Sequence, residues 1–72
     1  MTEQEKRNRF NKVATNRVNK ILDTLRLLGN CSNTSNYAYT DEEVDKIFNA
    51  IELELADQKE KFKRKERKKF KL

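Results

Sequence analysis

The chain contains no histidine, no proline and no tryptophan, and it has a single glycine and a single cysteine. Each absence removes a class of protein. Without histidine, and with Cys31 alone, neither an imidazole general base nor the His/Cys ligand sets of zinc sites can be assembled, and no intrachain disulfide can form. No glycine-rich pattern is present to cradle a phosphate. The chain therefore reads as non-enzymatic, with no catalytic residue, no metal and no cofactor expected. The lack of proline and near-lack of glycine leave few breakers, which favours long helices over a sheet joined by many turns. No apolar run approaches the ~18 residues of a membrane span. The opening MTEQEKRNRF is charged where a secretory signal needs an apolar stretch, so a cytoplasmic protein is expected.

What is present is charge and helix formers. Of 72 residues, 40% are charged and 35% are hydrophobic, which allows one domain at most. A core in a chain of this size rarely contributes more than ~3–5 kcal/mol. With metal and disulfide both excluded, self-association is the support that remains.

Two stretches carry helical periodicity. Ala14, Val18, Ile21, Leu25 and Leu28 recur at alternating intervals of four and three residues, joined by Phe10, Val13 and Leu22, and predict a helix over 3–28. On a helical wheel these residues cover roughly half the circumference, more than the ~100° stripe that one neighbour requires. Val44, Ile47, Phe48, Ile51, Leu55 and Phe62 predict a second helix over 41–66, with a stripe only about 100° wide.

Between them lies GNCSNTSNYAYT, residues 29–40, uncharged and rich in Ser, Thr and Asn, which reads as a loop. Gly29 suits a left-handed residue closing the first helix, with Asn30 as a second candidate. Thr40 and Glu43 form a capping box for the second, with Tyr39 and Val44 at the positions of a hydrophobic staple. The expected fold is all-α, an antiparallel two-helix hairpin over 1–62 followed by a basic C-terminal extension over 63–72. In that hairpin Leu28 faces Val44, Leu25 faces Ile47, Ile21 faces Ile51, Val18 faces Leu55 and Phe10 faces Phe62. The wide arc of the first helix suggests a homodimer, two hairpins forming a four-helix bundle.

Charge is segregated along the chain. Residues 1–28 carry seven Lys/Arg against three acids, residues 29–57 one Lys against seven acids, and residues 58–72 nine Lys/Arg against two Glu. The blocks are thus +4, −6 and +7. The first two attract each other, which favours pairing the helices. In the third, the positions that would continue the apolar stripe beyond Phe62 are Lys65, Glu66 and Lys69, so this segment is not built to fold the hairpin. Its cations form the electrostatic footprint of a phosphate-backbone binder, DNA or RNA, with Lys61, Lys63, Arg64, Lys65, Arg67, Lys68, Lys69 and Lys71 as the candidate contacts. A solvated end that complements the negative helix terminus explains the same composition. An anionic membrane surface is disfavoured, because Phe62, Phe70 and Leu72 do not share one helical face.

Secondary candidates are Asn8, Lys12, Asn16 and Asn19, which run down the polar side of the first helix and are side chains able to meet base edges and phosphates. The bland reading is an ordinary polar face. Tyr37 in the loop is suited to stacking on an unpaired base, or equally to capping the open end of the bundle. The opening MTEQEK, followed by a basic, Asn-containing amphipathic helix, resembles the start of the Rop family of plasmid RNA-binding hairpins, which dimerise into four-helix bundles. That likeness implies an RNA-contacting face on the first helix, corresponding loosely to Asn8, Lys12, Asn16 and Asn19. The long uncharged loop and the basic extension depart from that family, and the second helix shows no match. A small nucleic-acid-binding accessory or regulatory protein is therefore expected, and a protein-interaction adaptor is the alternative.

Overall fold

The computed structural model describes residues 1–63. The described residues hold two long helices and no strand: α1 (Glu3–Gly29), a short 3-10 turn (Asn30–Ser32) and α2 (Asp41–Lys63). The chain divides into two units, one ending at Ala38 and the other beginning at Tyr39.

In the first unit, α1 starts at a capping box. The Glu5 N–H donates to Thr2 Oγ1 at 3.1 Å, and the Thr2 N–H donates to Glu5 Oε1 at 3.3 Å. Two of the free N–H groups at the helix start are thereby satisfied, and Glu3 and Glu5 place negative charge at the positive end of the dipole. Farther along, Arg26 pairs with Asp23 at 3.0 Å, with both side chains 72% exposed, so the pair contributes little to stability.

The end of α1 corrects the sequence reading. Gly29 lies inside the helix with φ −59° and ψ −32°, and no described residue has positive φ. A left-handed glycine is not needed because the helix tightens into the 3-10 turn, whose shorter bonds take up carbonyls of the last turn; the Asn30 N–H points back to the Arg26 carbonyl. Asn33 then organises the loop. Its carbonyl accepts from the N–H groups of Asn36 and Tyr37 at 3.1 and 3.0 Å, and its side-chain Oδ1 accepts from the Ser35 N–H at 3.0 Å. This is the side-chain-to-backbone bonding expected of an Asn in such a segment.

In the second unit, α2 begins where the sequence places it. The Glu43 N–H donates to Thr40 Oγ1 at 3.1 Å and the Thr40 N–H donates to Glu43 Oε1 at 2.8 Å. Asp41, Glu42 and Glu43 occupy the first turn, while Lys61 and Lys63 occupy the last, both arrangements complementing the dipole. The expected continuation to residue 66 lies outside the described residues.

Each helix carries its apolar stripe as predicted, and in the single chain these stripes are exposed. Ile21 is 62% exposed, Val18 51%, Leu55 58% and Ile51 37%, and no described residue is buried. Val13, Ala14, Leu28 and Val44 are half-buried.

Two substitutions test the helix ends by urea unfolding followed by circular dichroism. Gly29→Ala should stabilise the fold by about 0.4–1 kcal/mol, because the backbone is right-handed and an added Cβ meets nothing within 4 Å; a loss would restore the left-handed reading. Thr40→Ala should cost about 1 kcal/mol, with Thr40→Asp close to neutral.

Candidate nucleic-acid interface

The basic segment opens on the last turns of α2. Lys59, Lys61 and Lys63 are all exposed there. Residues two apart on a helix stand about 200° apart, so Lys61 and Lys63 flank opposite edges of the stripe that contains Phe62. Lys59 and Lys63, four residues apart, share one side of the helix end, and Lys61 stands on the other. The position of Lys61 and Lys63 in the last turn also complements the helix terminus, which is a structural role for both. Arg64, Lys65, Arg67, Lys68, Lys69 and Lys71 lie outside the described residues. Lys59, which the sequence reading left out of the contact set, is an exposed member of the same group; its signal was its place inside the +7 block.

Asn8, Lys12, Asn16 and Asn19 do share one side of α1, all exposed, over a length of about 16 Å. Asn8 is partly engaged within the helix, since its Oδ1 accepts from Gln4 Nε2 at 3.0 Å. That bond answers the need of an exposed amide without any ligand. On the same side Asp23 pairs with Arg26, and Lys12 stands one turn from both Asn8 and Asn16. Tyr37 does not belong to this face. It sits in the loop, 52% exposed, with its N–H bonded to Asn33. Within the first unit Tyr37 and the α1 asparagines are thus separate features; of the three candidate groups the basic segment carries by far the most charge.

Cys31 is exposed, and its Sγ lies 3.9 Å from the Leu27 carbonyl as a weak donor to the end of α1. Among the described residues no cluster of His, Cys, Asp or Glu is placed to hold a metal ion, and no helix is long and apolar enough to cross a membrane. Compared with protein-family models, with curated proteins and with solved structures, the chain matches none.

The α1 face and the basic segment are separable by mutation. In fluorescence anisotropy with a short duplex, Asn16→Ala with Asn19→Ala should leave affinity within about twofold, because amide groups add little where phosphate charge dominates. A drop of more than tenfold would move the interface to α1.

Proposed function

We propose that this chain is a small non-enzymatic nucleic-acid-binding protein of accessory or regulatory type, docking on the phosphate backbone through its basic C-terminal segment. The observation that carries this reading is the segregation of charge: nine Lys/Arg against two Glu in residues 58–72, directly after a block of −6. A cationic segment of this density releases condensed counterions when it meets a polyphosphate, and this is the main source of affinity in sequence-independent binding.

The helices supply the platform. In the proposed assembly α1 and α2 form an antiparallel hairpin, and two hairpins join through the wide apolar arc of α1 into a four-helix bundle. The exposure of Val18, Ile21, Ile47 and Leu55 in the single chain supports it, since apolar stripes of this extent mark surfaces that associate. A dimer presents two basic segments, so that once one has docked the other binds at raised effective concentration.

The same exposed stripes favour a second reading, an adaptor that recognises a protein while the basic segment only complements the helix terminus. Capture from nuclease-treated lysate separates the two: an adaptor keeps its partner, and a nucleic-acid binder loses what it brought down.

For the main reading, the plot of log K against log salt on duplex DNA should fall with a slope of about −4.5 to −6, the range for roughly five to seven phosphates engaged. A chain truncated after Phe62 should keep its helix content and lose this binding. Retained affinity in the truncated chain would overturn the assignment.

A further inference from the structure

We infer that the apolar stripe of α2 is a docking surface for α1 of a second copy of this chain, and that charge selects this unlike pairing over contact between two α1 helices. The inference deepens the dimer reading above and rests on it.

The first observation is the rim of α2. Its stripe runs through Ile47, Ile51, Val44, Leu55 and Phe48, and acids border it on both edges. Glu43 and Glu54 lie beside Ile47, while Asp41 and Glu52 lie beside Phe48, all of them exposed. Acids on both edges suit a basic helix laid along the stripe, which the α1 of a copy provides.

The second observation lies on α1. Arg17 projects from within the apolar arc, between Val13 and Phe10 on the wheel, and is exposed. It also lies next to the midpoint of Glu3–Gly29. In a two-fold antiparallel contact between two α1 helices centred on that midpoint, Arg17 would approach Arg17 of the copy, adding a like-charge contact to the mutual repulsion of two +4 segments. Against α2 the same guanidinium meets Glu52 or Glu54. The Glu54 Oε2 already accepts from Gln58 Nε2 at 2.7 Å, which holds that carboxylate in place on the helix surface.

The third observation is width. The α1 arc spans about half the helix circumference, roughly twice the α2 stripe, and so is wide enough to serve two α2 helices.

The test is a charge swap read by sedimentation equilibrium in low salt, with circular dichroism confirming helix content. Arg17→Glu should weaken self-association about fivefold, and Glu52→Lys with Glu54→Lys by a similar factor; all three together should return it to within about twofold of the unchanged protein. If Arg17→Glu leaves the dimer unchanged or tightens it, as relief of an Arg17–Arg17 contact would, the unlike pairing is wrong while the dimer stands. If the triple variant stays as weak as its parents, the pairing is also wrong. A monomeric mass for the unchanged protein, across the micromolar range, overturns both this inference and the dimer.

Discussion

The coverage of two apolar stripes is the constraint on which everything else in this chain depends. A helix in water is marginal when held by propensity alone, and most of its stability in proteins comes from packing an amphipathic face. Here α1 and α2 are well capped, yet Ile21 remains 62% exposed and Leu55 58% exposed in the single chain. Caps contribute about 1 kcal/mol each and decide where a helix starts. They do not replace burial, where a single Leu or Ile side chain yields about 1.5–3 kcal/mol. The helices therefore depend on what covers their stripes.

The charge pattern follows from that constraint. Once burial is assigned to the stripes, the remaining surface is free to set which helices meet and what else is met. The +4 and −6 blocks favour unlike neighbours, while the +7 block, residues 58–72, holds the last apolar residue of the α2 stripe, Phe62, and has Lys65 and Lys69 at the positions that would continue it. With a mean hydropathy of −1.10, the chain devotes much of its sequence to electrostatics, and the sign of the charge changes from block to block.

Helix identity, the start of α2 and the loop were legible in the sequence because each rests on short-range chemistry: a 3.6-residue period, a Thr40–Glu43 capping box, an Asn33 that bonds to its own backbone. The Thr2–Glu5 box was equally legible, being the same T-x-x-E spacing, and was overlooked because the helix was delimited by its apolar residues, which begin only at Phe10. Gly29 misled for a different reason. A glycine after the last apolar residue suits a left-handed cap, but a 3-10 exit serves the same carbonyls without it, and sequence does not distinguish the two. The candidate site was legible as charge and no further. Electrostatic footprint is additive over residues and needs no geometry, whereas the choice between the α1 asparagines and the basic segment depends on where a ligand sits.

Hydrogen–deuterium exchange of the full chain, with and without a short duplex at low salt, tests that choice most directly. The account predicts that added duplex slows exchange from Lys59 onward and leaves the amides of α1 and the loop unchanged. Slowed exchange centred on Asn8 to Asn19, with none at the basic end, would contradict it.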